Sequence, residues 1–364
     1  MSRPDAAVDD VRTAVYRFPT PEEEGDGTLA WDATTVATVE VTAGGCTGLG
    51  WTYSAGAAAT LVEEQLAAVV RGRDALDVPG AWEAVHRAGR NLGTRGLFAA
   101  AHSAVDIALW DLKARLLDLP LADLLGRVRD RVPVYGSGGF TTLTGDQLAE
   151  QVHGWLDAGC RAVKIKIAES WGRRPARDLC RVRELRQLAG DGVTLMVDAN
   201  GGYSPGEARR VGATLDDLGV SWFEEPVSSD DLAGLALLRH TLRCDVAAGE
   251  YVADVYEAAR MVPAVDCLQL DVTRCGGYTG WLRCAAQAAA AGLQVSGHCA
   301  PSLHAPVAAA LPQLRHVEWF VDHARLEPLL VDGAPPVVGG ELVVGTAPGH
   351  GMTLAADAAR WRVR

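Results

Sequence analysis

Two apolar runs that each end in acid decide the fold: Val193-Thr-Leu-Met-Val-Asp198-Ala-Asn200 and Val220-Ser-Trp-Phe-Glu224-Glu225-Pro226. The segment between them is typical of a helix, because Ser204 is a good N-cap and Pro205 suits the first helical position. A strand, a helix and a second strand form the unit of a parallel sheet. The pattern therefore predicts that these carboxylates lie at one end of such a sheet.

The same alternation continues on both sides of this unit. The predicted strands are Val132–Tyr135, Ala162–Ile167, Val193–Val197, Ser221–Phe223, Asp245–Ala248, Cys267–Leu270, Gln294–Ser296 and His316–Phe320. The predicted helices begin near Gly145, Arg174, Ser204, Asp230, Val255, Gly280 and Ser302. This order predicts an α/β fold, a modified TIM barrel of the (β/α)7β type, and the continuous apolar runs suit strands buried on both faces. A doubly wound open sheet is the alternative, although no Gly-rich dinucleotide fingerprint follows its first strand.

The sequence patterns at the two ends of the chain differ from the strand–helix alternation of the barrel. Residues 1–130 mix alternating strands with Ala-rich helices, which predicts an α+β capping domain. Within it, Pro19 to Asp32 is predicted to be a polar loop, and its length suggests a function. The barrel catalytic domain is expected over 131–325, and the Gly- and Pro-rich segment 326–364 is expected to pack back on the capping domain.

Composition restricts the classes of partner and compartment. The 364 residues carry a formal net charge of −12, which disfavours nucleic acid and anionic membranes as partners. No apolar run approaches the roughly 20 residues that span a bilayer. Residues 1–10 lack the apolar core of a signal peptide, and the 8 cysteines show no disulfide or CxxC pattern. We therefore expect a cytoplasmic protein with reduced thiols.

Ionisable side chains concentrate at the ends of the predicted strands, where a barrel carries its chemistry. The residues at these strand ends are Ser137, Lys164, Lys166, Asp198, Asn200, Glu224, Glu250, Asp271, His298 and Glu318. All of them except Ser137 and Asn200 are ionisable. Three carboxylates from successive strands, Asp198, Glu224 and Glu250, predict an all-oxygen site for Mg2+, with Mn2+ as the alternative ion. The competing interpretation is that each acid caps the helix that follows it. Asn200 is expected to bond a ligand carboxylate.

Two basic motifs complete the predicted site. Lys164 and Lys166 are two residues apart on a strand, so both face one side. Crowded together and facing a metal, they are expected to repel, which lowers the pKa of one of them towards use as a base. Alternatively, both are solvated surface lysines. His298 ends the strand that follows the one ending in Asp271, so the carboxylate is expected to hold the imidazole and raise its basicity. A histidine without such a neighbour is more often structural.

Together these motifs resemble the enolase superfamily, and within it the mandelate racemase subgroup. The resemblance rests on an α+β cap, a (β/α)7β barrel and motifs in the right order along nearly the whole chain. These motifs are Lys164-x-Lys166, Asp198-x-Asn200, Glu224-Glu-Pro, Gly-Glu250 and the pair Asp271 and His298. The resemblance implies that Asp198, Glu224 and Glu250 hold the metal. It also implies that Lys166 is a base on one face of the substrate and that His298 with Asp271 serves the other.

The resemblance further implies that Lys164 lies against the substrate carboxylate and that Glu318, in its protonated form, hydrogen-bonds it as an enediolate forms. The expected reaction is Mg2+-dependent abstraction of the proton alpha to a carboxylate, followed by dehydration of a sugar acid to a 2-keto-3-deoxy acid. The alternatives are a racemase or epimerase of a 2-hydroxy acid and, in another class, a binding protein that lost its activity. Members of the subgroup are commonly oligomers, which implies a homo-oligomer here.

Two cap segments match the loops that select substrates in this family. They carry Trp31 and Tyr53, which we therefore expect to bind a small-molecule carboxylic acid. Both segments are polar and lack a basic residue, so the far end of the substrate is expected to be a polyol rather than a second carboxylate. Alternatively, Arg274, Arg325 or a histidine near the rim, His304 or His323, reaches a distal acid.

Overall fold

A computed structural model of the chain describes residues 6–364; residues 1–5, the first half of the segment that lacks a signal-peptide core, lie outside the described residues. The N-terminal part is an antiparallel sheet in the order β1-β2-β3, covered by helices. Its strands are β1 (Asp10–Gly25), β2 (Ala30–Ala43) and β3 (Cys46–Tyr53). Its helices are α1 (Ala57–Leu61), continued by a π-helical turn (Val62–Leu66) into α2 (Ala67–Val70), then α3 (Val78–Ala88), α4 (Leu97–Leu116) and α5 (Leu121–Leu125).

The long helix α4 lies almost directly on β3. A Cβ atom at Gly48 or Gly50 would lie 2.2 Å from the carbonyl oxygen of Ala108 or Ala104, so both positions need glycine. Between these two glycines, the backbone N–H of Leu49 donates to the buried carboxylate of Asp111 on α4 at 2.9 Å. Small residues on both elements therefore permit the close packing of helix and sheet.

The central part is the predicted barrel. Its strands are β4 (Arg131–Gly138), β5 (Ala162–Lys166), β6 (Thr194–Asp198), β7 (Val220–Glu224), β8 (Asp245–Ala248), β9 (Cys267–Leu270), β10 (Gln294–Gly297) and β11 (Leu314–Phe320). Its helices are α6 (Gly145–Asp157), α7 (Glu169–Gly172), α8 (Pro175–Ala189), α9 (Pro205–Asp217), α10 (Leu232–Thr241), α11 (Val255–Met261), α12 (Gly277–Ala290), α13 (Pro301–Ala309) and α14 (Val321–Leu330). Neighbouring strands are parallel, and β11 pairs with β4, which closes the barrel. The (β/α)7β expectation is confirmed, and the open sheet is excluded.

The register of the strands sets the level of the predicted site. Lys166, Asp198 and Glu224 are consecutive cross-strand partners, and Ala247 is the next. The barrel interior also holds an apolar cluster of Tyr135, Met196, Trp222, Ala247 and Cys267. Lys166, Asp198 and Glu224 therefore lie at one level at the carboxyl ends of their strands, whereas Lys164 lies two residues lower, level with Met196 of this cluster.

The segment from Pro19 to Asp32 is not the loop that the sequence predicts. Strands β1 and β2 extend through it, with a shift in their register between Pro19 and Glu24, and leave only a short turn at 26–29. Much of this hairpin is exposed, so no buried face imposes an alternating pattern on its sequence. Its tip reaches the barrel, where the backbone N–H of Thr141 donates to the Gly25 carbonyl at 2.8 Å.

The tail contributes β12 (Val331–Asp332), β13 (Glu341–Val343) and β14 (Thr353–Leu354). Strand β13 adds to the barrel beside β4, in the antiparallel direction. Farther on, the backbone N–H of His350 donates to Asp111 of α4 at 2.8 Å, and that of Val363 donates to Val15 of β1 at 2.8 Å. The tail thus contacts both barrel and cap, and the division at residues 130 and 325 remains a prediction. None of the helices within residues 6–364 has the length and apolar character needed to cross a bilayer.

Candidate active site

The three predicted metal ligands come together at the end of the barrel. Asp198 ends β6, Glu224 ends β7 and Glu250 follows β8 by two residues. One carboxylate oxygen of each lies within 4.8 Å of the others, and all three side chains are buried. Buried like charges repel strongly unless something compensates them. This arrangement therefore favours a cation site over three separate helix caps.

Buried oxygens without hydrogen-bond partners test whether the site suits a cation. Among the described residues, Asn200 Oδ1, Glu225 Oε1 and Glu250 Oε2 have no hydrogen-bond partner. Burial and the neighbouring carboxylates of Glu250 and Asp198 raise the pKa of Glu225 well above its usual value. Carboxylate and amide oxygens left unpaired in this way are the donor set that Mg2+ or Mn2+ takes in proteins. The residues present therefore fit a hard divalent cation.

The two lysines are ion-paired rather than mutually repelled. Lys164 Nζ lies 2.6 Å from Glu224 Oε2 and 2.8 Å from Glu318 Oε1, and Lys166 Nζ lies 2.5 Å from Asp198 Oδ2. Burial lowers the pKa of both lysines, but these carboxylates outweigh it and raise the pKa of each above its usual value. Carboxylates thus surround both ammonium groups, and the lowering of one lysine pKa by the other lysine and a bound metal stays a prediction. The solvated alternative is wrong, because both side chains are buried.

His298 and Asp271 form the pair that their strand positions predict. His298 Nδ1 lies 2.9 Å from Asp271 Oδ2, and Asp271 Oδ1 accepts hydrogen bonds from the backbone N–H and the hydroxyl of Thr273, both at 2.7 Å. Burial lowers the pKa of His298, but neighbouring groups, including Glu250 and Asp271, raise it well above its usual value. The second nitrogen, Nε2, points to Glu250 Oε2 at 3.2 Å. The imidazole is thus oriented by Asp271 through Nδ1, while Nε2 faces Glu250.

Glu318 is held as an acceptor in this arrangement. It accepts from the Ser137 hydroxyl at 2.6 Å and from the backbone N–H of Cys299 at 3.0 Å, besides its ion pair with Lys164. Burial raises its pKa, but Lys164, His298 and Lys166 outweigh burial and bring the pKa well below its usual value. The expectation of a protonated Glu318 therefore differs from the electrostatics found here, because the sequence does not reveal how many donors face this carboxylate.

One cavity of about 370 Å3 connects these groups to the cap. Trp31 and Tyr53 of the cap line it together with Lys166, Asn200 and His298 of the barrel. The Trp31 indole packs edge-on against Phe140 at 5.5 Å and donates to Glu24 at 3.2 Å. The Tyr53 ring stacks on His323 at 3.5 Å, and its hydroxyl donates to Glu327 at 2.8 Å. The structure thus brings both predicted cap residues to the barrel residues.

Two family comparisons match most of the chain. Residues 147–358 match the family described as enolase C-terminal domain-like, and residues 26–126 match the N-terminal domain of mandelate racemase / muconate lactonizing enzyme. The chain belongs to the mandelate racemase/muconate lactonizing enzyme family. The resemblance stated from the motifs is therefore confirmed.

Three members of this family illustrate its range. A mandelate racemase/muconate lactonizing enzyme-like protein from Rubrobacter xylanophilus is 45% identical, with a TM-score of 0.95, over 98% of this chain and 100% of that one. L-Talarate dehydratase from Polaromonas sp. JS666, solved with Mg and L-glucarate, is 32% identical, with a TM-score of 0.90, over 98% of each chain. The 3,6-anhydro-alpha-L-galactonate cycloisomerase of Streptomyces coelicolor is 34% identical over 95% of this chain and 97% of its own length.

Several cavity residues of this family member are not predicted as site residues from its sequence. Tyr251 lines the cavity beside Arg274, which the sequence analysis names only as a possible partner of a distal acid, and the guanidinium lies 5.0 Å from the Tyr251 ring centre. Arg274 Nη1 also lies 3.0 Å from Glu250 Oε1. Cys299 and Phe320 line it as well. The available signal was adjacency, since Tyr251 and Cys299 directly follow two predicted site residues.

Proposed function

We propose that this chain is a Mg2+-dependent lyase that removes the proton alpha to the carboxylate of a sugar acid and eliminates water to give a 2-keto-3-deoxy acid. The observation that carries this proposal is that the carboxylate trio adjoins the cavity that holds Lys166 and the Asp271-supported His298. A proton beside a carboxylate is very weakly acidic, because its removal puts a second negative charge on that group. The site must therefore offer positive charge and a base together.

Asp198, Glu224 and Glu250 would hold the ion. Bound there, Mg2+ supplies positive charge to the substrate carboxylate and takes up the carboxylate charge that otherwise keeps the pKa of Lys166 high. Lys164, fully buried between Glu224 and Glu318, places a fixed ammonium beside the same oxygens. Asn200 Oδ1, unpartnered and close to Asp198, belongs to the same polar wall.

Lys166 and His298 have different roles in the proposed reaction. We assign Lys166 the removal of the alpha proton and His298 the delivery of a proton from Nε2 to the departing β-hydroxyl. Asp271 keeps Nδ1 protonated and stabilises the imidazolium before that transfer. Trp31 and Tyr53 enclose the substrate from the cap side, which limits the entry of water.

Racemisation or epimerisation is the second candidate, and the placement of the bases favours it too. Lys166 on β5 and His298 after β10 stand three strands apart around the closed sheet, so they approach a bound acid from different directions. If His298 returned its proton to carbon instead of oxygen, the product would be the epimer. The dehydratase and the cycloisomerase among its relatives both belong to reaction classes that one enediolate can enter.

A screen of sugar acids with the Mg2+-loaded enzyme separates the two reactions. We expect a 2-keto product, detected with a keto-acid reagent, from at least one acid. In deuterated water, His298→Asn should still exchange the alpha proton through Lys166 but form no keto product. Epimer without keto product would establish the second candidate, whereas absence of exchange with every acid tested would contradict both.

We also infer that the far end of the substrate carries no charge. Arg325 is paired with Glu24 at 2.6 Å and with Asp322, and Arg274 is paired with Glu250 and Asp271. Neither guanidinium is left over for a second carboxylate. Aldonates should therefore have a higher kcat/KM than aldarates of the same configuration, and the reverse order would contradict this inference.

The compartment and assembly remain proposals. The 8 cysteines of the chain are free thiols, which supports a reducing cytoplasm. The homo-oligomer is proposed from the resemblance to a subgroup whose members are commonly oligomers. Size-exclusion chromatography with light scattering tests the assembly, and a monomer at micromolar concentration would contradict it.

A further inference from the structure

Three metal-ligating atoms of different chemistry meet beside the carboxylate trio. Cys299 Sγ lies 3.3 Å from His298 Nε2 and 3.4 Å from Glu318 Oε2, and the same two nitrogen and oxygen atoms lie 3.7 Å apart. All three side chains are buried, and Cys299 and His298 line the cavity. A sulfur, a nitrogen and an oxygen therefore form a triangle of candidate metal ligands beside the cavity.

The dimensions of this face suit tetrahedral zinc. Zinc lies about 2.3 Å from a thiolate sulfur and about 2.0–2.2 Å from an imidazole nitrogen or a carboxylate oxygen, so its ligand atoms lie about 3.3–3.6 Å apart. The three separations found here are 3.3, 3.4 and 3.7 Å. A neutral imidazole, a thiolate and a carboxylate also carry two negative charges in total, which balance a divalent ion in a buried site.

The surroundings of the three ligands already have the form of a second coordination shell. Asp271 accepts from His298 Nδ1, which leaves the Nε2 lone pair for a metal, as in carboxylate–histidine–zinc triads. The backbone N–H of Cys299 and the Ser137 hydroxyl each hold one oxygen of Glu318. Glu250 Oε2 is buried and lies 3.2 Å from Nε2 as its ion-pair partner, so it borders the same space.

We propose that His298, Cys299 and Glu318 form a second metal site that binds thiophilic divalent ions such as Zn2+, and that its occupation inhibits the enzyme. This site is distinct in chemistry from the carboxylate trio, which offers oxygen alone and suits Mg2+. Zinc on Nε2 occupies the lone pair through which His298 exchanges protons with substrate. Binding releases the thiol proton of Cys299 and the Nε2 proton of His298 to solvent, so the ion replaces these protons without any redox step.

Cobalt reports on the thiolate ligand directly. The Mg2+-loaded enzyme is titrated with Co2+ under excess Mg2+, and the near-ultraviolet band of thiolate-to-cobalt charge transfer is recorded. We expect the band to saturate at one Co2+ per chain and to disappear when Zn2+ is added. Co2+ that merely replaced Mg2+ among the three carboxylates would give no such band. Its absence from the unaltered enzyme would overturn the assignment without any variant.

Variants then locate the site. Cys299→Ser should lose the band, and its apparent Zn2+ affinity should fall at least about tenfold, whereas Cys180→Ser, which alters an exposed thiol, should keep both. Asp271→Asn should keep the band but weaken Zn2+ binding roughly 10- to 100-fold, because it removes the support of the imidazole. A band that survives in Cys299→Ser would overturn the assignment. Zn2+ inhibition of equal strength in Cys299→Ser, relative to its own zinc-free rate, would overturn the inhibitory role.

Discussion

His298 Nδ1 is hydrogen-bonded to Asp271 Oδ2 at 2.9 Å, although the two residues end different strands of the barrel. Strands β9 and β10 are neighbours, and Gly297 is the register partner of Leu270, so the residues that follow them are brought side by side. Thr273 fixes the second oxygen of Asp271. The direction of the imidazole is therefore set by the first residues after two adjacent strands, with Thr273 of the following loop holding Asp271 in place.

Asp271→Asn tests this support. The amide cannot stabilise the imidazolium, so kcat should fall by roughly 10²–10⁴ while KM changes little. Initial rates of keto-acid formation measure the effect. Asp357→Asn, an exposed change in the tail, serves as the matched control and should be neutral. A loss smaller than about tenfold would show that His298 acts without Asp271.

Removal of the ion should affect stability as well as activity. A ligand that binds only the folded state raises the melting temperature with concentration, so Mg2+ should raise Tm and EDTA should reverse the rise. Glu250→Gln removes the ligand whose Oε2 is unpartnered, and we expect it to abolish the Mg2+-dependent shift. The control Glu64→Gln, on the exposed side of the cap, should keep the full shift. An unchanged shift in Glu250→Gln would exclude Glu250 as a ligand.

The tip of the β1–β2 hairpin closes over the barrel at Gly27. A Cβ atom there would lie 2.2 Å from the carbonyl oxygen of Ile167, and the Gly27 carbonyl accepts from the Trp171 backbone N–H at 2.9 Å. Gly27→Ala should displace the tip at a cost of about 1–3 kcal/mol. We expect a raised KM and faster proteolysis within 20–30. Gly154→Ala, with open space around its Cβ, is the control. Unchanged KM would mean that the tip does not close the substrate cavity.

Glu327 makes the stability of the protein depend on pH. Burial raises its pKa from 4.5 to about 7, although hydrogen bonds from Ser302 and Tyr53 oppose the rise. The folded state therefore holds the proton more tightly than the unfolded state, and this stabilisation is complete below pH 4.5 and is lost as the pH rises through about 7. The change is on the order of 3 kcal/mol.

Urea unfolding at about pH 5 and about pH 8 measures this change, with Glu327→Gln as its own reference. The variant cannot titrate at this position, so its stability should fall less between the two pH values than that of the unaltered chain. If the free energy of unfolding fell equally in the two proteins, Glu327 would have the ordinary pKa of a glutamate in the folded state. The same variant should keep the Mg2+-dependent rise in Tm, because the hydrogen bonds of Glu327 go to Ser302 and Tyr53 and to none of the carboxylate trio.

The barrel could be predicted from the sequence because each strand buries both faces and each helix one. Apolar runs such as Thr194–Asp198 and caps such as Ser204 are local signals, and the structure places the elements within a few residues of the predicted bounds. The hairpin across 19–32 could not be predicted, because it buries little and its pairing is non-local. Cys299 was missed for a related reason: its sulfur gains meaning only from Glu318 of the next strand.

The sequence by itself determined which side chains end the strands, since strand and helix periodicity depend on near neighbours in the chain. It thereby determined the barrel and the residues of the carboxylate trio. Only the tertiary structure decided their electrostatic surroundings. It placed carboxylates around Lys164 and Lys166, which raises the pKa of each, and it gave Glu318 three donors, which with the nearby cations lower its pKa. The physical reason is that a pKa depends on distances between groups far apart in the chain, and only the closed barrel sets those distances.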